Sequence, residues 1–454
     1  MALTSKNPTT EEVLGTFPEL TDEQLAAKLA LAEATFKVWS QTPLEERLAP
    51  MKRLSVLFRE RAQELGKLAT LEMGKPITQA IAEVEKCSLA CDYYVEQAEQ
   101  ILAPQSIKSD ASESFVRFDP IGVLLAVMPR NFPYWQVMRF AGPALAAGNV
   151  GVLKHASNVP QCAAAFEKLF LEAGFPEGAF QNLPIGSAKV EQVIRHPAVQ
   201  GIALTGSETA GGKVAALAGS LIKKTVLELG GSDPFIVLDD ADIPYAAEIA
   251  AKARLQNNGQ SCIAAKRFIV VEAVYDQFLE LFKQKVETSV VGDPLDPTTT
   301  VGPLASEGGL QEIDKQVADS VGKGARLITG GSRIGTTGYF YAPTIIADVQ
   351  PGMPAYEEEL FGPVAIVIRA KDTEDAIRLA NDNRFGLGSS LWTQNTELAK
   401  QLAPRIRAGC VFVNGLVKSD PRLPFGGTGV SGYGRELSSW GLYEFMNVKT
   451  VWIK

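Results

Sequence analysis

Between residues 149 and 229, short apolar runs alternate with stretches whose apolar residues recur at helical spacing. Strand-like segments at 149–153, 180–184, 201–204 and 225–229 are separated by helical patterns at 161–172, 188–195 and 210–218. A strand followed by a helix and another strand makes the two strands parallel, so this run predicts a mostly parallel sheet covered by helices. A second alternation opens at 234–238 and continues through 267–271, 364–368, 389–392 and 410–414, which predicts a second α/β unit. Ahead of both, residues 20–102 are rich in Ala, Leu, Glu, Lys and Gln at helical spacing, broken at Pro43 and Pro76, and read as several helices. Residues 115–118 and 121–128 read as strands. The end of the chain, Lys449-Thr450-Val451-Trp452-Ile453-Lys454, is an apolar strand pattern of the kind that pairs with another subunit.

With 454 residues, 46% of them hydrophobic, the chain has material for two or three domain cores. Its formal charge of -8 argues against a nucleic-acid surface, so an anionic ligand requires local positive charge. The five cysteines, Cys87, Cys91, Cys162, Cys262 and Cys410, are an odd and scattered set that fits a reducing compartment better than a disulfide framework. Cys87 and Cys91 read as packed thiols, since no histidine or further cysteine stands at metal-ligand spacing, and no metal is expected. No signal peptide and no apolar run of bilayer length occurs, so the expectation is a cytoplasmic protein with no membrane partner. Only His155 and His196 are available for histidine chemistry.

The hexapeptide Asn257-Asn258-Gly259-Gln260-Ser261-Cys262 sets one cysteine behind a polar turn with no histidine beside it. A thiol is only a few per cent ionised at neutral pH unless a neighbour activates it. Glu228, at the end of an apolar strand and before Gly230-Gly231, is a candidate base whose pKa burial would raise toward neutrality. Asn131, in Met128-Pro129-Arg130-Asn131-Phe132-Pro133, stands where a strand gives way to a helix. There it can cap the helix or donate its amide to an oxyanion. No GxGxxG follows a strand. The stretch Leu204-Thr205-Gly206-Ser207 leading into Gly211-Gly212-Lys213 only superficially looks like a P-loop, because the lysine is out of frame and Val214 replaces the hydroxyl residue. A strand, a short Gly/Ser turn and a helix N-terminus can still hold a pyrophosphate. A cysteine hydrolase of esters or amides is the alternative reading from a different class.

In this order the motifs resemble the aldehyde dehydrogenase superfamily over nearly the whole chain. The resemblance implies an α/β fold with a Rossmann-like cofactor-binding domain (1–106 and 121–229), an α/β catalytic domain (230–426) and a small β element (107–120 and 427–454) for oligomerisation. It implies Cys262 as nucleophile, Asn131 as oxyanion donor, Glu228 as general base, and Gly206 and Ser207 as the cofactor turn, with Leu229 beside them. Glu359-Leu360-Phe361-Gly362-Pro363 is similar to the segment whose Glu359 and Phe361 hold the nicotinamide ribose. Pro424-Phe425-Gly426-Gly427 and Ser431-Gly432-Tyr433-Gly434-Arg435-Glu436 resemble the family's C-terminal signature. The implied chemistry is a thiohemiacetal, then a thioester hydrolysed by water that Glu228 deprotonates. One departure is Arg130, where the family commonly has Trp; this cation is read either as a phosphate or carboxylate ligand or as solvated. Ala264, where some relatives carry a second cysteine, argues against a local disulfide switch.

Within the superfamily the chain is most similar to the enzymes that oxidise succinate semialdehyde, through Asn131 to Arg139 and Ser419-Asp420-Pro421-Arg422. On a continuous helix Asn131, Trp135 and Arg139 would share one face. Arg139 would then grip the distal carboxylate of a small aldehyde, Ser419 would add a hydroxyl and Trp135 an apolar wall. For the cofactor, Lys154 stands where the family's Lys meets the adenosine ribose, and Ser157 where NAD-preferring members often have Glu. Without that carboxylate a 2′-phosphate is accepted, so NADP is expected as the preferred cofactor and NAD as a possible second. The family implies a homodimer or homotetramer.

Overall fold

The computed structural model describes residues 2–454. Its first sheet has the spatial order 432–433, 224–228, 199–205, 123–128, 150–155, 180–182, with all neighbours parallel except Gly432–Tyr433, which pairs antiparallel with Lys224–Glu228. Every residue of the Val150–His155 strand is buried, as a strand covered on both faces by helices requires. The second sheet runs 326–329, 344–347, 364–370, 267–271, 234–237, 388–392, 410–413, parallel apart from the Arg326–Thr329 edge. Its strands Thr344–Ala347 and Arg326–Thr329, and helices such as Ile243–Leu255 and Tyr275–Glu287, go beyond what the apolar runs indicated.

The breaks at Pro43 and Pro76 fall just ahead of the helices Leu44–Glu60 and Ile77–Leu102, each proline occupying the capping position where its missing N–H costs nothing. The C-terminal strand Met446–Ile453, expected to pair with another subunit, pairs in the structure with Glu113–Pro120 of the same chain over eight residues. It remains an edge strand, with Val448 and Trp452 exposed. A further hairpin, Ala2–Lys6 with Val13–Pro18, lies in a region the sequence left unassigned. The first sheet turns the carboxyl ends of its strands, where open α/β sheets place their ligands, toward loops that precede strands of the second sheet. No helix is long and apolar enough to cross a membrane.

Candidate active site

The nucleophile loop is built on backbone that few residue types tolerate. Asn257 and Asn258 have φ of 54° and 58°, and Gly259 follows at 74°. Left-handed geometry costs most L-residues roughly 1–2 kcal/mol each, whereas Asn and Gly adopt it readily, which explains the Asn-Asn-Gly run. Both asparagine amides then hold the turn. Asn257 Nδ2 donates to the carbonyls of Asn131 (2.8 Å) and Gln260 (2.9 Å), and Asn258 Nδ2 donates to those of Gly74 and Pro303 (2.8 Å each). Beneath the loop, the buried Lys266 ammonium donates to the carbonyls of Ser261 and Cys262 at 2.7 Å and lies 3.2 Å from Glu359 Oε1.

Asn131 is not the helix cap that the sequence allowed. The helix runs Trp135–Ala146 with Tyr134 at the capping position, so Asn131 also lies outside the helix face shared by Trp135 and Arg139. The capping function falls to Glu83 on Ile77–Leu102, whose Oε1 accepts the N–H groups of Tyr134 (2.8 Å) and Trp135 (3.0 Å). Lys75 pairs with Glu83 and donates to the Asn131 carbonyl at 3.0 Å. Relieved of capping, the Asn131 amide donates to the Gln260 carbonyl at 3.0 Å, two residues before Cys262, and keeps its second N–H free. His155 is buried and held neutral, its pKa down to about 4 chiefly through burial; Nε2 meets the Pro133 carbonyl (2.9 Å) and Nδ1 accepts the Ala156 N–H (2.8 Å). With both ring nitrogens engaged it is no base for a thiol.

Glu228 is buried, and neither carboxylate oxygen has a hydrogen-bond partner. Burial, then the charge of nearby Glu436, raises its pKa well above the usual carboxylate range. A Cβ on Gly426 would stand 2.8 Å from Glu228 Oε1, which is one reason the Phe425-Gly426-Gly427 signature needs a glycine there. Burial also pushes the Cys262 thiol up to about 12, against the pull of Arg139 and Lys266, so the resting thiol is protonated. Two cavities meet at this sulfur. The larger, of about 420 Å³, is lined among others by Asn131, Gly206, Ser207, Glu228, Leu229, Glu359 and Phe361, and by Arg130. The smaller, of about 80 Å³, is lined by Trp135, Arg139, Ser419 and Lys86. Cys262 and Gln136 border both.

At the rim of the larger cavity, Ser207 caps the helix Glu208–Ser220 and the Gly206 N–H is held by the Glu228 carbonyl at 3.0 Å. Glu359 accepts the Gly231 N–H at 3.1 Å. Lys154 is the penultimate residue of the Val150–His155 strand, mostly buried, and Ser157 is exposed just beyond it; neither lines the cavity itself. In the smaller cavity Trp135 Nε1 donates to Ser419 Oγ at 2.8 Å. Arg139 lies over the Phe425 ring (4.6 Å to its centre), its Nε 2.8 Å from Glu436 Oε2. Sequence reasoning passed over Lys75, Glu83, Lys86, Lys266 and Glu436. A signal existed for Glu83, which falls on the stripe Ala80, Val84, Cys87, Cys91 that faces the core. A charged residue on a core stripe requires a partner.

A half-buried thiol, an unpartnered carboxylate and a helix-capped turn gathered around one cleft suit an enzyme with cysteine-based chemistry. The family model of the aldehyde dehydrogenases matches residues 2–451, and the chain belongs to that family. It is 50% identical over 453 residues to a Synechocystis protein named as a probable NADP+ succinate-semialdehyde dehydrogenase, and 49% identical over 456 residues to the NADP+ succinate-semialdehyde dehydrogenase 1 of Mycobacterium bovis, with all of both chains covered in each case. The crystal structure of succinic semialdehyde dehydrogenase from Streptococcus pyogenes in complex with NADP+ superposes with a TM-score of 0.98 at 42% identity, covering all of both chains.

Proposed function

We propose that this protein oxidises succinate semialdehyde to succinate with NADP+ as the preferred acceptor. The observation that carries this reading is the position of Cys262 between two cavities, one suited to a dinucleotide and one small, cationic and walled by Trp135. In the larger cavity the N-terminus of Glu208–Ser220, with Gly206 and Ser207, suits a pyrophosphate, and Glu359 and Phe361 suit the nicotinamide ribose. Lys154 and Ser157, at the carboxyl end of one strand, suit a 2′-phosphate. NADP+ supplies a hydride acceptor on that side.

Glu228, with its raised pKa, takes the thiol proton, and Arg139 and Lys266 favour the thiolate left behind. Cys262 sulfur then attacks the aldehyde carbon. The free N–H of Asn131 and the Cys262 backbone N–H meet the oxyanion, a donor contribution of roughly 3–4 kcal/mol each in such sites. Glu228 passes the thiol proton to solvent, and after oxidation to the thioester its carboxylate takes a proton from the attacking water, so that the carboxylic acid leaves and Cys262 departs as the thiolate. The test is a matrix of initial rates: succinate semialdehyde, butanal and benzaldehyde, each with NADP+ and NAD+, followed by the absorbance of reduced nicotinamide. The expected maximum is succinate semialdehyde with NADP+. Equal rates for carboxylated and neutral aldehydes would remove the substrate assignment, and faster turnover with NAD+ would remove the cofactor assignment.

A further inference from the structure

The smaller cavity is positive in a protein of net charge -8: it is lined by Lys86, Arg139 and Lys418 and by no carboxylate. These cations are not equivalent. Arg139 lies over the Phe425 ring with its Nε 2.8 Å from Glu436 Oε2, and its Nε and Nη2 have no hydrogen-bond partner, while Lys418 is exposed. Lys86, half-buried on Ile77–Leu102, points its ammonium at Ser419 Oγ (3.0 Å) across the face of Trp135 (4.2 Å to the ring centre). It has no salt bridge among the described residues. The carboxylates near it are taken, Glu83 by Lys75 and the helix N–H groups, and Asp420 by Arg422 at 2.7 Å.

We infer that Lys86 is a substrate-binding residue that determines specificity, its ammonium and Ser419 receiving the distal carboxylate of the aldehyde alongside Arg139. A cation left without a counterion in a half-buried site is poised for an anionic ligand, and the Ser419 hydroxyl, already bonded by Lys86 and Trp135, presents an oriented dipole to the same group. The inference rests on the substrate reading above. It also makes binding depend on pH. The ammonium faces Glu83 and Cys87 on its own helix, Arg139 on Trp135–Ala146, and Asp420 and Lys418 on the loop opposite. Burial, followed by Arg139, brings its pKa down to about 8, so its charge is present below that pH and lost above it.

The test compares wild type, Lys86→Met and Lys86→Arg in kcat and KM for succinate semialdehyde and butanal, from about pH 7 to about pH 9.5. For Lys86→Met, KM for succinate semialdehyde rises at least tenfold while kcat changes by less than about threefold, and the kcat/KM ratio of succinate semialdehyde to butanal falls at least tenfold. In wild type, KM for the semialdehyde climbs above about pH 8 while KM for butanal does not, and Lys86→Arg removes the climb because its charge persists. A wild-type preference for succinate semialdehyde that survives in Lys86→Met overturns the role of Lys86 alone. No preference in wild type overturns the substrate reading with it. Butanal turnover by each variant reports that the catalytic groups are intact.

Discussion

At the scale of single residues, the site trades stability for reactivity at Glu228. A buried carboxyl with no hydrogen-bond partner has its pKa raised, so its ionised form is a stronger base than an exposed carboxylate and is costlier to hold in the fold. Its folded pKa is raised above the ordinary 4.5, so the folded state holds a proton the unfolded state has released, and its contribution to stability is lost as pH rises from there through the folded value. Glu228→Gln removes that loss. The variant is expected to lose roughly 10²–10⁴-fold in kcat and yet to melt at a higher temperature than wild type, by a larger margin at pH 8 than at pH 5, in paired thermal scans. An equal margin at both values would show that Glu228 does not titrate in this way. Cys262 and Glu228 were legible because their residue types stand out in apolar or turn contexts. Lys86 was not, since a lysine in an amphipathic helix looks the same in sequence whether its ammonium faces water or a cavity.

The element that most depends on distant partners is the helix Trp135–Ala146. Its N-terminal N–H groups are satisfied by Glu83 of another helix, and the same Glu83 neutralises the fully buried Lys75. Removing one member of a buried pair costs about 3–5 kcal/mol because the other is left uncompensated. Glu83→Ala is therefore expected to lower stability by that order in chemical denaturation, and to reduce kcat as well, because Lys75 holds the Asn131 carbonyl. A stability change below about 1 kcal/mol would sink this account. Close by, His155 ties the end of Val150–His155 to the loop that carries Asn131. Its pKa falls from 6.5 to about 4, so the unfolded chain takes up a proton that the folded one refuses. Its contribution is complete above pH 6.5 and disappears as pH falls toward 4, about 3 kcal/mol in all. Unfolding titrations should show this acid limb in wild type and a flatter one in His155→Gln. The expected strands and helices were readable here from apolar periodicity; the capping was not, because Asn131 satisfies every local criterion for a cap and only a helix about fifty residues earlier displaces it.

Across the whole molecule, the carboxyl ends of the first sheet's strands face the loops that lead into the second sheet's strands around one cleft, so a dinucleotide bound there contacts residues of both: Gly206 and Ser207 from the first, Glu359 and Phe361 from the second. Ligand that binds only the folded state stabilises it by about 2.7 kcal/mol at a hundred times its Kd. NADP+ is expected to raise the melting temperature more than NAD+ at equal concentration, and Ser157→Glu to reverse that order; an unchanged order would take the 2′-phosphate away from Ser157.

By itself the sequence determined the parallel α/β architecture and the helical region ahead of it, and singled out the thiol, the carboxylate and the amide that the fold gathers around one cleft. Those features follow from local periodicity and from residue types that are rare in their surroundings. Only the tertiary structure decided that Asn131 is released from capping by Glu83, that Arg139 lies beside Glu436, that the C-terminal strand folds back onto Glu113–Pro120, and that Lys86 turns its ammonium to Ser419 in the smaller cavity. Each of these depends on which charges and backbone edges meet across hundreds of residues, and no spacing along the chain encodes that.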